Sequence, residues 1–168
     1  VSLISGIHDL LPNRTGGVVM QKNLESLGDI IYTEEEIEFA MQMQKENGKP
    51  SLGIDGKIRP LRETLESPGG GSTDVGDVSY NVPVVSLAAT TAPKGVPWHS
   101  WSVVASSGMS IGHKGMLHAT KALGMTMIDI FKDKNLRDEI KKEFDERIGN
   151  YKYDPFLDPG PPPIDYVD

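Results

Sequence analysis

Cysteine is absent from the sequence, so the chain can form neither a disulfide bond nor a metal site with thiolate ligands. Any bound metal must be held by His, Asp or Glu. The sequence also lacks the run of about 20 apolar residues that a membrane-spanning helix needs, and it shows no basic-then-apolar signal peptide. Positive charge is scarce, since 17 Lys and Arg residues face 24 Asp and Glu residues. These absences predict a cytoplasmic protein that binds neither a membrane nor a nucleic acid.

The length of 168 residues suits one compact domain, because domains most often hold about 100 to 150 residues. Hydrophobic residues make up 38% of the chain, which is enough to build a core and excludes wholesale disorder. The chain opens at Val1 and enters a strand-like apolar run at once. We therefore expect a fragment of a longer protein.

Helical spacing of apolar residues recurs in four segments of the chain. Gly28 follows the first segment, at the place where a left-handed helix cap is expected. Thr33 and Glu36 open the second segment with the capping-box pattern. The fourth segment has the most regular apolar stripe. The predicted helices are 18–27, 34–47, 113–131 and 134–148.

Two further segments predict β-strands. Residues 1–11 are rich in β-branched and apolar side chains, and 82–89 form a nearly continuous apolar run. Such a run is typical of a strand that is covered on both faces in an α/β fold. Residues 49–71 have no periodicity and predict a long surface loop, whereas 151–168 form a proline-rich tail.

A glycine-rich turn, 71–77, places Asp74 and Asp77 just before the second predicted strand. Polar groups at strand ends of an α/β sheet are common in binding sites. The same residues also suit a turn in which Asp, Ser and Thr side chains bond to their own backbone. The segment lacks the Gly-Lys-Ser/Thr ending of a phosphate-binding loop.

The histidines differ in how well their positions suit a metal ligand. His99 lies between Trp98 and Trp101, in surroundings that suit a metal ligand, a proton shuttle or a packed structural residue. His113 and His118 are five positions apart, so they do not share a helix face as an i, i+4 metal pair would. At a helix start, His113 could bind an anion, cap the helix or join the core.

Three motifs in order resemble a known enzyme family: Gly71 to Ser79, Pro97 to Trp101 and Ile111 to Met116. The segments Ser5 to Asn13 and Tyr32 to Glu36 are also similar to it. This family is the dinuclear-metal amidohydrolases, which include aminoacylases and glutamate carboxypeptidases. The similarity extends over nearly the whole chain.

The resemblance implies a fold and a domain organisation. It implies the C-terminal part of a three-layer, zinc-peptidase-like α/β catalytic domain, with helices packed on a mixed sheet. Residues 1–13 would be the last strand of an α+β lid or dimerisation domain, and 14–168 the catalytic part. Within that part, 49–71 would be a loop insertion and 151–168 a proline-rich tail.

The resemblance also implies an amide hydrolase in which two divalent ions, zinc or manganese, activate a water molecule. His99 matches the last metal ligand of the family. Asp74, Asp77, His113 and Asn13 match positions near the substrate or behind the ligands. The other ligands, a His-x-Asp pair, a Glu-Glu pair and a further histidine, have no counterpart here, so the chain alone is expected to be inactive and to hold no metal tightly.

The implied substrate is an N-acyl glutamate such as p-aminobenzoyl-glutamate, or a similar peptide-like molecule. The implied assembly is a homodimer or a heterodimer with a homologous A-type subunit. An alternative from a different class is a noncatalytic binding or assembly module that keeps this segment of the fold without the metal site.

Overall fold

The structure is a computed structural model that describes residues 6–62, 73–157 and 160. Within these ranges the chain forms six helices. None of them is both long and apolar enough to cross a membrane. The helices are α1 (Arg14–Leu27), α2 (Glu34–Glu46), α3 (Val75–Ser79), α4 (Trp101–Ser107), α5 (Ser110–Lys132) and α6 (Lys134–Ile148).

The predicted helices are confirmed, with shifted ends. Helix α1 begins four residues earlier than expected and ends before Gly28, whose φ of 76° is the left-handed cap that the sequence predicts. Helix α2 has the complete capping box, because Thr33 accepts from the Glu36 amide and the Glu36 side chain accepts from the Thr33 amide. Helices α3 and α4 are too short for periodicity to reveal them.

The predicted α/β fold with helices on a mixed sheet is wrong. Among the described residues the only β pairing is one parallel bridge between Pro12 and Val84. Residues 82–89 form no strand beyond this bridge, none of them is buried, and Val82 is 49% exposed. An apolar run becomes a strand only when a partner strand is available, and here the pairing amounts to a single bridge. Residues 1–5 of the first predicted strand lie outside the described residues. Residues 63–72, which belong to the predicted loop and the glycine-rich turn, also lie outside them.

Contacts divide the chain into two compact units. The first comprises 1–17, 62–85 and 135–168. In its core lie Ile140 and Phe144 from the apolar stripe of α6, together with the polar side chains His8 and Ser79. Ser79 Oγ accepts from the Leu11 amide at 2.8 Å, which ties α3 to the segment 6–11.

The second unit comprises 18–61 and 86–134. The residues buried in it come mainly from α1, α2 and α5. Asn23 on α1 donates to Thr126 Oγ1 at 3.0 Å and to Asp129 Oδ2 at 2.8 Å on α5. The buried apolar residues are Met20, Ala40, Met43, Val96, Ile111 and Ala122. The predicted division at residue 13 stays a prediction.

Candidate functional site

The His99 loop, residues 86–100, lies in the second unit and leads directly into α4. His99 has a φ of 59°, and it is the one non-glycine residue with positive φ in the described part of the chain. This left-handed conformation is unfavourable for a side chain that carries a Cβ and is enriched at functional sites. Ser100 Oγ donates to the Pro97 carbonyl at 2.6 Å and closes the turn around His99.

The His99 side chain is exposed at this turn. Trp98 and Trp101 are also largely exposed, at 72% and 60%. The two tryptophan rings therefore do not bury His99 away from water. The turn instead leaves the His99 imidazole exposed beside the two exposed indole rings. Another protein surface could cover all three side chains.

Polar side chains of the second unit anchor the rest of the His99 loop. Gln44 on α2 is fully buried and donates to the Lys94 carbonyl at 2.9 Å. Thr90 Oγ1 donates to the Asp55 carbonyl at 2.7 Å, and Tyr32 donates to the Thr90 carbonyl at 3.3 Å. The loop backbone is thus held at two points ahead of His99.

An ion pair between α2 and α5 reinforces this anchoring. Lys114 Nζ lies 2.6 Å from Glu36 Oε2, and it also donates to the Ile31 carbonyl at 2.9 Å. Burial raises the pKa of the Glu36 carboxyl, but hydrogen bonds from Lys114, Ser110 and Thr33 outweigh this effect and the net pKa is lowered. Burial, with the charge of Glu36, raises the pKa of Tyr32 to about 12. Both groups therefore keep one charge state over the physiological pH range.

The predicted site residues belong to both units. His99 and His113 belong to the second unit, whereas Asn13, Asp74 and Asp77 belong to the first. His113 is exposed near the start of α5. No group of three or more His, Asp or Glu residues suited to a metal occurs in the parts of the chain that the structure describes.

Asp77 and His8 form a polar cluster in the first unit. His8 Nδ1 lies 2.6 Å from Asp77 Oδ1, and His8 Nε2 lies 2.6 Å from the Tyr151 hydroxyl. His8 is 7% exposed. The hydroxyl can donate to a neutral imidazole or accept from a protonated one, so both bonds are compatible with either charge state of His8.

Aromatic rings surround the buried imidazole. The ring of Phe156 stacks on His8 with centroids 4.3 Å apart and planes 13° apart, and the rings of Tyr80, Tyr151 and Tyr153 lie within 5.8 Å. Because these rings come from the end of α3 and from 151–156, the His8 cluster joins three segments that are far apart in sequence. Sequence analysis assigns no role to His8, although His8 lies within the segment Ser5 to Asn13 that resembles the family.

Asp77 gives a pH-dependent prediction. The hydrogen bond to His8 lowers the pKa of the Asp77 carboxyl more than burial raises it. Because the pKa of Asp77 is lower in the folded state, its carboxylate stabilises the fold at pH values above the unfolded-state pKa of about 3.9. This stabilisation is lost as the pH falls through the lower folded-state pKa. We therefore expect Asp77→Asn to lower the free energy of unfolding at pH 7 and to lower it by less at pH 3, as measured by urea denaturation.

Asp74→Asn is the matched control, because Asp74 is exposed and its side chain does not cap α3. It should leave the free energy of unfolding unchanged at both pH values. Equal losses from Asp77→Asn at pH 7 and pH 3 would contradict a role for the carboxylate charge.

Asn13 has a structural role that the family resemblance does not indicate. Its side chain is buried, accepts from the Gly16 amide at 2.8 Å as the N-cap of α1, and donates to the Ile140 carbonyl at 2.9 Å. Glu143 accepts from the first two amides of α1 at 2.7 Å each. Burial raises the pKa of Glu143, and the hydrogen bonds from α1 lower it by more. In this structure the amide of Asn13 is occupied by contacts within the chain.

Comparison with known proteins gives one informative match. No protein-family profile and no solved structure matches the chain. The chain is 32% identical to the B-type subunit of p-aminobenzoyl-glutamate hydrolase from Escherichia coli strain K12 over 167 aligned positions. The match covers 85% of this chain and 35% of the relative. The predicted resemblance is confirmed at the level of a hydrolase subunit: the chain is related to this component of p-aminobenzoyl-glutamate hydrolase and spans about a third of its length.

Proposed function

We propose that this chain contributes one part of a metal-dependent amidohydrolase that cleaves the amide bond of an N-acyl amino acid such as p-aminobenzoyl-glutamate. The observation that supports this most directly is the match to the E. coli hydrolase subunit over 85% of the chain. The proposed assembly is a homodimer or a heterodimer with a homologous A-type subunit, consistent with the description of the relative as one subunit of its hydrolase.

His99 is the proposed metal ligand. Its imidazole is exposed and is held on a left-handed turn, so the ring is accessible to a metal ion that approaches from outside the chain. Among the described residues His99 suits one ligand position of a metal site. These residues do not form a complete site, because they contain no group of three metal-binding side chains. The remaining ligands of a two-metal centre, zinc or manganese, are proposed to come from polypeptide outside this chain.

Asp74 and His113 are proposed to border this centre. Both side chains are exposed, so they too could contact a surface that completes the site. Asp77 and Asn13 are engaged within the first unit, and they are proposed to act by holding the backbone near Asp74 and at the start of α1. No reacting group is assigned to these four residues.

A direct test uses a hybrid protein, in which this chain replaces the matched third of the E. coli subunit. We expect His99→Ala to lower the bound metal per chain and to reduce kcat for p-aminobenzoyl-glutamate at least about tenfold, because even the loss of a group behind a metal ligand has effects of that size. Metal content is measured by mass spectrometry and turnover by release of p-aminobenzoate.

The control is His118→Gln, which removes an imidazole whose Nε2 lies 2.8 Å from the Gly28 carbonyl within the second unit. This variant should keep both metal content and kcat. Retention of full metal content and full turnover by His99→Ala would overturn the proposed ligand.

A noncatalytic assembly module is the second candidate. The exposure of Trp98, Trp101 and Val104, at 60% or more each, favours it because such side chains are typical of protein contact surfaces. A hybrid protein that folds and assembles but shows no metal-dependent hydrolysis would favour this candidate.

A further inference from the structure

Helix α5 carries large apolar side chains on a face that the described residues leave exposed. Met116 and Met127 are each 57% exposed, Leu117 is 54%, Ile128 is 52% and Leu123 is 42%. With Thr120 and Gly124 between them, these residues cover an arc of about 140° on a helix with 3.6 residues per turn. We call this surface the α5 stripe: Met116, Leu117, Thr120, Leu123, Gly124, Met127 and Ile128.

The opposite face of α5 is already buried in the second unit. Ile111 and Ala122 are fully buried there, and Gly115 and Thr126 lie close to them on the same face. Helix α5 is therefore apolar on two sides. A helix with this pattern is typically covered on both sides, whereas a surface helix has charged residues opposite its buried face.

The α5 stripe contains no ionisable side chain, although the whole chain has a net charge of −7. It extends for about 18 Å along the helix, since each residue rises by about 1.5 Å. A surface of this length without charge does not select a partner by ion pairing. Its partner must present an apolar surface of similar length.

We propose that the α5 stripe is the surface on which the rest of the hydrolase polypeptide packs. The inference rests on the proposed function and names the partner that this function requires. The chain covers 35% of its relative, so most of the hydrolase has no counterpart in it. A segment joined to this chain reaches the stripe at a high effective concentration, which a second copy does not match in dilute solution.

The absence of cysteine permits a clean accessibility test. Met127→Cys and Leu117→Cys each place the only thiol of this chain on the stripe, and Leu52→Cys places one at a 60% exposed position elsewhere in the second unit. Each variant is treated with a maleimide as the isolated chain and as the hybrid with the remainder of the E. coli subunit. The labelled peptide is identified by mass spectrometry.

We expect positions 117 and 127 to react at least about tenfold more slowly in the hybrid than in the isolated chain, because burial requires local opening before a reagent can enter. Position 52 should react at the same rate in both. The same remainder is also added as a separate polypeptide, so that the result does not depend on folding of the fusion.

Failure of both the fused and the separate remainder to protect positions 117 and 127 would overturn the proposal. Protection in the isolated chain that grows with its concentration would also overturn it, because the partner would then be a second copy. Protection in a hybrid that hydrolyses no p-aminobenzoyl-glutamate would support the interface and count against the proposed function alone.

Discussion

Gly115→Ala should destabilise the protein by about 3 kcal/mol, whereas Gly124→Ala on the same helix should stabilise it by about 1 kcal/mol. A Cβ at position 115 would overlap the carbonyl oxygen of Thr90, in the backbone of the His99 loop. Backbone cannot rotate away as a flexible side chain can, so α5 and the loop must separate. A Cβ at position 124 meets no atom within 4 Å, and there the greater helix propensity of alanine decides the sign.

The measurement is the free energy of unfolding of both variants by urea denaturation monitored by circular dichroism. Each variant serves as the control for the other, because both replace glycine with alanine in the interior of α5. Equal effects of the two substitutions would mean that Thr90 does not pack against Gly115. Such a result would also mean that the contact between Gly115 and Thr90 does not help to position the His99 loop.

Gln44→Met should lower the free energy of unfolding by about 4 kcal/mol, because it removes four hydrogen bonds to the backbone, two of which are buried. The Gln44 side chain donates to the carbonyls of Gly53 and Lys94 at 2.8 and 2.9 Å. It accepts from the amides of Leu52 and Gly53 at 2.8 and 2.9 Å. Methionine has a similar volume, so the loss measures hydrogen bonding and not a cavity.

Gln42→Met is the matched control, since Gln42 is exposed two residues away on the same helix. We expect its free energy of unfolding to stay within about 0.5 kcal/mol of the unsubstituted protein, as is usual for surface positions. Native-state hydrogen exchange adds a local readout. The amides of 86–100 should exchange faster in Gln44→Met, and unchanged exchange there would contradict the proposed anchoring of the His99 loop.

Local chemistry accounts for the elements that were predicted well. The capping box at Thr33 and Glu36 involves groups three residues apart, so its energy is set within one turn of backbone. The stripe of α6 repeats at four-residue steps, and Ile140 and Phe144 are indeed side chains that it buries. Gly28 adopts positive φ where the helix pattern stops.

The predicted strand at 82–89 shows the limit of this reasoning. An apolar run indicates that burial of its side chains is favourable. It does not indicate whether a second strand is available to form hydrogen bonds with its backbone. In the described residues Val84 pairs once, with Pro12, and the pairing stops there. The sheet was inferred from composition and from family resemblance, neither of which supplies the missing partner strand.

For the candidate site residues too, the sequence predicts some features and the tertiary structure determines the others. The motif around His99 identified the residue, but only the backbone reveals that it is exposed on a left-handed turn. The sequence indicates a turn that carries the Asp77 carboxylate, yet the partner His8 is 69 residues away. No pattern within a window of the sequence can pair groups at that separation.

Sequence alone was sufficient to predict the main helices, the caps that end α1 and begin α2, the exclusion of thiolate chemistry and the relationship to a hydrolase subunit, because each depends on nearby residues or on ordered motifs. Three-dimensional packing was needed to show that Asn13 caps a helix, that His8 is buried between Asp77 and Tyr151, and that α5 keeps an apolar face exposed. These features depend on contacts between distant segments, and the free energy of such contacts is set by how side chains fit together in space.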